Sequence, residues 1–192
     1  QGAVNYPTFS ASEELVTLGT IRDFVTANSD AFERSHISGH VTGSALVVDN
    51  QLSRCLLTHH AKLDKWLQLG GHADGDTDVA RVAMREAREE SGLSPLDFFP
   101  YERHCLKLSH HPLMVDVDVH EIPARKTEAA HTHYDVRYLI CTPEPEKIVV
   151  SSESIALKWF TLEQAVTQIS ERSLRRFLLK TLALKKGLQI ES

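Results

Sequence analysis

The chain has 192 residues, 42% of them hydrophobic and 24% charged, with a formal net charge of −5, which suits one compact domain with a full core. That charge leaves no electrostatic footprint for duplex nucleic acid or an anionic membrane, while a small phosphorylated substrate stays compatible because a metal ion can supply positive charge. Cys55, Cys105 and Cys141 are odd in number and far apart, which argues against a disulfide framework or zinc knuckle and for a reducing, cytoplasmic setting; no apolar run approaches the roughly 18–20 residues that span a bilayer, and no signal peptide is legible.

From Ser10 to about Phe32, the residues Leu15, Leu18, Ile21, Phe24 and Val25 recur at helical spacing behind Ser12, which can cap. This predicts an N-terminal helical extension over residues 1–35, packed on a main domain of residues 36–192. A strand is expected at Val41–Val48, a turn at Asp49-Asn50 and a second strand at Leu52–Leu57. His59 to Gly75 reads as a loop-rich stretch around the short apolar piece Trp66–Leu69. Asp78–Ser91 carries helix punctuation: Asp76, Thr77 or Asp78 can cap it, Gly92 sits at the C′ position and Pro95 follows. Val115–His120 alternates strictly, as a strand with one apolar face does. Tyr134–Cys141 and Ala156–Phe160 read as further strands, followed by helices near Leu162–Ser170 and Leu174–Lys185. Strands and helices mix without a strict βαβ rhythm, so the expected fold is an α/β (α+β) sandwich with a mixed sheet.

The helix over 78–91 carries the chemistry. Glu86, Glu89 and Glu90 are related by i, i+3 and i+4, so their carboxylates project from one helix face. Three like charges so close repel unless a cation sits among them, and Mg²⁺ takes hard oxygen ligands of this kind, with Mn²⁺ an alternative. Val79, Ala83 and Ala87 on the neighbouring side can seat the helix on a sheet, and Gly70-Gly71 lets the preceding backbone approach closely enough to add a main-chain carbonyl. The competing reading is a solvated, salt-bridged surface helix.

The segment from Gly71 to Leu93 resembles the Nudix box: Gly71 matches its opening glycine, and Arg85, Glu86, Ala87, Glu89, Glu90, Gly92 and Leu93 match the remainder at unbroken spacing. Leu69-Gly70-Gly71 is similar to the family's entry to the box, and Trp159 through Ala165 to the strand-to-helix step near its end. The resemblance implies an α/β/α sandwich and hydrolysis of the phosphoanhydride bond in a nucleoside diphosphate linked to another group. It also implies metal ligands at Glu86, Glu89, Glu90 and the Gly70 carbonyl, with Arg85 orienting a glutamate. One position departs: Thr77 stands where the family has its first glutamate, so Asp76, Asp78 or the Thr77 hydroxyl is expected to partner Arg85. The general base is left open among the box glutamates, Glu121, Glu128, His131 and Glu153.

Two stretches outside the box are candidates for substrate contact. In the loop from His59 to Trp66, Lys62 or Lys65 can meet phosphate and Trp66 can stack on a base, against the alternative of two exposed lysines and a half-buried tryptophan. In the hairpin after the box, Asp116, Asp118 and His120 share one face, as do His131, His133, Asp135 and Arg137. Pairing His120 opposite His131 would set Asp118 against His133 and Asp116 against Asp135, with Ile122–Arg125 in the loop. Such a face suits a second metal centre or a cluster gripping phosphate or sugar, against a solvated face with cross-strand charge pairs. Two rivals stand beside the hydrolase. One is an isopentenyl-diphosphate isomerase, which needs a cysteine in a stretch that has none between Cys55 and Cys105. The other is a Nudix-like ligand sensor, kept open by Thr77. A homodimer is compatible with the sequence.

Overall fold

Gly39–Asp49 (β1) is buried along its whole length, and the sequence shows why. Val41, Ala45 and Val47 point to one side of the sheet, and Leu46 and Val48 to the other, so the strand's second half is apolar on both faces, as a strand covered on both sides must be. In its first half the second face is polar instead: His40, Thr42 and Ser44. The computed structural model describes residues 11–61, 63–100, 112–124, 129–150 and 154–190. Around β1 run Arg54–His60 (β2), Lys65–Leu67 (β3), Leu69–His72 (β4), Asp97–Phe98 (β5), Met114–Ile122 (β6), His131–Thr142 (β7) and Ser154–Thr161 (β8). They form one eight-stranded sheet in the order β3-β2-β1-β7-β5, with β4 also on β1, β6 on β7 and β8 on β2. β1 and β7 pair in parallel over their full length, from Gly39 opposite Thr132 to Asp49 opposite Thr142, while the other pairings are antiparallel, so the sheet is mixed as expected.

Helices cover both faces. Val79–Ser91 (α2) begins at Asp78, whose side chain accepts from the Arg81 N–H, and ends at Gly92 in the left-handed conformation, its N–H donating to the Arg88 carbonyl. Its Ala83, Met84 and Ala87 are buried against Ala45, Val47, Val136 and Ile140, and Val82 is buried beside Gly43. A β-carbon on Gly43 would stand 2.8 Å from the Val79 carbonyl oxygen, so this glycine is what lets the helix backbone lie on β1. The opposite face is closed by Leu162–Gln168 (α3), started by a Thr161–Gln164 capping box, and by Arg172–Ile190 (α4), whose Leu174, Phe177, Leu178 and Leu182 pack on Leu46, Val48, Leu57 and Leu139. The result is an α/β/α sandwich. Cys55 and Cys141 are buried, and burial pushes the Cys55 thiol up to about 12; Cys105 lies outside the described residues.

Three details differ from expectation. The stretch His59–Gly75 is not a loop: the chain reverses at Asp64, which has a positive φ of 52°, and returns as β3 on β2 and β4 on β1. The first helix (α1, Ala11–Ala27) stops short of Phe32. Its Leu15 and Val16 are exposed, and Ile21 supplies the buried contact while Phe24 stacks on Tyr134 at 3.8 Å. The hairpin register is shifted by two residues: His120 pairs with His133, Asp118 with Asp135, Asp116 with Arg137 and Ile122 with His131. A shift of two keeps every side chain on its face and sets the Arg137 guanidinium among three carboxylates, which the assumed register would not. Among the described residues no helix is long and apolar enough to cross a membrane.

Candidate active site

Two strands and one helix build the carboxylate cluster. β4 lies antiparallel to β1, with Gly70 opposite Ser44 and Gly71 opposite Gly43, and α2 packs over both. A β-carbon on Gly71 would stand 2.5 Å from the Glu86 carboxylate, so the side chain of Glu86 fills the space that the glycine leaves. Glu90 Oε1 accepts from the Gly70 N–H at 2.8 Å. Arg85 donates from Nη2 to the His72 carbonyl and to Glu86 Oε1, both at 2.8 Å, and the Glu86 hydrogen bond raises its guanidinium pKa against the desolvation. Glu89 is exposed and, with Arg81, Met84, Arg85, Arg88 and Phe98, lines a groove of about 560 Å³. Glu86, Glu90 and the Gly70-Gly71 backbone thus meet at the α2–β4 junction, with Glu89 exposed on the same helix. The donor set is oxygen throughout, which fits Mg²⁺ or Mn²⁺.

Neither of the aspartates expected to replace the missing glutamate hydrogen-bonds Arg85. Asp76 binds Arg81 through both oxygens, at 2.7 and 2.5 Å; that contact and the Asp78 N–H lower its carboxyl to about 2. Asp78 is the helix cap, and Thr77 is exposed. Glu86 and the β4 carbonyl hold the arginine instead.

The two outer candidates resolve differently. His59 and Trp66 are cross-strand partners on β2 and β3, with rings stacked at 5.0 Å, and Trp66 packs edge-on against Phe160. His59 Nε2 meets Asp64 at 3.1 Å. Lys62 lies outside the described residues, as do the base candidates Glu128 and Glu153; Glu121 is exposed on β6. On the hairpin the aspartates belong to a buried ionic network rather than an open surface. Arg137 donates to Asp135 at 2.7 Å and to Asp116 at 3.2 Å. Arg176 and Lys180 of α4 meet Asp116 at 2.9 and 2.7 Å. Asp135 also accepts from Thr42, Ser44 and Gln68. Burial pushes the Asp118 carboxyl up, but the His120 hydrogen bond and the Arg137 charge outweigh it and hold the group below the usual carboxylate range.

The histidines form a second cluster, tied to that network through the His120–Asp118 contact at 3.0 Å. His120, His131 and His133 are joined by His40 from β1 and His72 from β4, neither of which sequence reasoning picked out. The ring of His40 lies 4.8 Å from His72, 4.9 Å from His131 and 4.9 Å from His133. Burial, followed by the neighbouring imidazoles of His72, His120, His40 and His131, lowers His133 to about 2. The parity of His40 with Thr42 and Ser44 was visible in the sequence, but the parallel β1–β7 pairing that brings it to the hairpin was not.

A family model of the NUDIX domain matches residues 39–180. No curated protein matches by sequence. Among solved structures, a C. elegans Ap4A hydrolase in a binary complex superposes with a TM-score of 0.56 at 18% identity, covering 77% of this chain and 98% of its own. The E. coli dihydroneopterin triphosphate pyrophosphohydrolase gives 0.52 at 18% identity, over 72% and 91%. A MutT NUDIX hydrolase from Burkholderia pseudomallei gives 0.52 at 22% identity, over 74% and 98%.

Proposed function

The chain belongs to the NUDIX family, hydrolases acting on pyrophosphate bonds, and from that premise we propose that it cleaves a nucleoside diphosphate linked to another group, using Mg²⁺ or Mn²⁺ at the α2–β4 junction. The observation that carries this reading is the meeting of Glu86 and Glu90 with the Gly70-Gly71 backbone, the Glu90 carboxylate accepting from the Gly70 N–H and the Glu86 carboxylate seated where a side chain at residue 71 would be. Glu86, Glu89, Glu90 and the Gly70 carbonyl would hold the cation. What the cation supplies when bound is positive charge against the diphosphate oxygens and a lowered pKa for the attacking water.

The remaining steps fall to the chain. Arg85 ties Glu86 to β4, so the carboxylate is oriented before substrate arrives. Glu90 is fixed by the Gly70 N–H. Glu89, exposed on the same helix, would take the proton as water attacks phosphorus in line. Arg81 and Arg88 border the same groove and can meet the leaving phosphate. The similar structures are named for different substrates, Ap4A and dihydroneopterin triphosphate, so the fold does not choose among them.

A panel of nucleotide sugars, dinucleotides, ADP-ribose and nucleoside triphosphates, assayed with Mg²⁺ and Mn²⁺, identifies the substrate. On it, Glu89→Gln is expected to lower kcat by about a hundredfold or more with unchanged Tm, and EDTA to abolish turnover. Full activity in the variant or in chelated protein overturns the mechanism. Binding without turnover across the panel leaves a ligand-sensing module instead.

A further inference from the structure

We propose that His40, His72 and His133 bind one borderline divalent transition-metal ion, zinc foremost, at a site separate from the α2 carboxylates. The three residues come from β1, β4 and β7, and their ligating nitrogens all lie within 4.8 Å of one another. The strands deliver them by register. His40 is opposite His133 in the parallel pair, and His72 is opposite Thr42, two residues along the same face of β1. Gly39 makes the close start of that pair available, since a β-carbon there would stand 2.3 Å from the Thr132 carbonyl oxygen.

The donor chemistry selects the ion. Three imidazoles and no carboxylate suit zinc, nickel, copper or cobalt and disfavour Mg²⁺. Asp135 is committed to Arg137, Thr42 and Ser44, which keeps its charge out of the site. A tetrahedral ion with Zn–N of about 2.0–2.1 Å spaces its ligands about 3.3–3.4 Å apart, a contraction that side-chain torsions supply.

The surrounding bonds orient the rings as outer partners of a metal do. His131 Nδ1 lies 2.9 Å from the Ala129 carbonyl, so that nitrogen carries the proton. In the neutral ring its Nε2 then accepts, and it lies 3.1 Å from His133 Nε2. His133 Nε2 therefore donates, which puts the lone pair of His133 on Nδ1. Next to it, His120 is held by Asp118 at 3.0 Å, its ring 5.5 Å from that of His133. An ion on this triad pins β4 through His72, the residue whose carbonyl receives Arg85, and so stiffens the strand end on which the carboxylate cluster rests.

The test is zinc titration of the full chain by calorimetry in excess Mg²⁺, with metal content after dialysis. One zinc per chain is expected. His72→Gln and His133→Gln should each weaken binding at least about tenfold, and Glu89→Gln should leave it unchanged. X-ray absorption on the zinc-loaded wild-type protein reads the donor set without any variant and should show nitrogen at about 2.0–2.1 Å. Absence of zinc binding, an oxygen-dominated spectrum, undiminished binding in folded histidine variants, or loss of binding in Glu89→Gln each overturns the site; the last would move the zinc to the α2 cluster and leave the hydrolase reading standing.

Discussion

Gly71 acts through what it lacks. Its missing side chain is the seat of the Glu86 carboxylate, and the atoms that an added methyl would meet are the far end of a flexible side chain. Gly71→Ala is therefore expected to leave Tm within a degree or two of wild type, roughly the shift for a surface change under half a kcal/mol, while swinging Glu86 away and raising the Mg²⁺ requirement at least about tenfold. A variant that unfolds, or one with unaltered Mg²⁺ dependence, contradicts this account. Gly43 makes the contrast at the same scale, because a methyl there would meet helix backbone. Thr77 belongs here too. The arginine that a glutamate at this position would hold is already held by Glu86 and the His72 carbonyl, which explains how the departure from the box is accommodated.

At the scale of elements, the β6–β7 hairpin is organised by one buried cation. Arg137 is 3% exposed and is shared by Asp135, Asp116 and Asp118. Arg137→Met would leave Asp116 with Arg176 and Lys180, but Asp135 with the neutral donors Thr42, Ser44 and Gln68. Urea denaturation should show a loss of about 3–5 kcal/mol for Arg137→Met, the cost of a buried charge stripped of its partner, and a smaller loss for Arg176→Met; equal losses would mean that the network is not centred on Arg137. The sequence made the hairpin's polar face legible because alternation needs no knowledge of partners. Its register was not legible, since a slip of two residues preserves the alternation and only the placement of Arg137 decides between the two. The box helix was legible in full because its caps, glycines and glutamates are local. β3 and β4 were missed because three or four residues show no period, and their existence depends on the edges offered by β2 and β1. His40 and His72 were missed for the same reason: their meeting is a property of strand order.

For the molecule as a whole, acid is the vulnerable direction. His133 is lowered from the ordinary imidazole value of 6.5 to about 2 in the folded protein, faced by His40, His72, His120 and His131. Between those values the unfolded chain binds a proton that the folded one refuses, so stability is full above about 6.5 and declines as pH falls. Asp118, also lowered, from 3.8, adds a second decline below that value, as the unfolded carboxyl protonates first. Urea midpoints across pH 7.5 to 2.5 should fall in two limbs, the upper one removed by His133→Gln; a flat profile from pH 7 to 5 contradicts it. The pairing of β1 with β7 carries a different implication, about the order in which the chain is made. Thr42 and Asp135 share a hydrogen bond across 93 positions, so the sheet's central strand is synthesised long before the neighbour that closes one of its edges. Until β7 emerges, a segment apolar on both faces waits with unsatisfied backbone groups, which favours slow folding and self-association of the nascent chain. Polypeptides cut short ahead of β7 should accordingly depend on chaperones to stay in solution, whatever the stability of the finished protein.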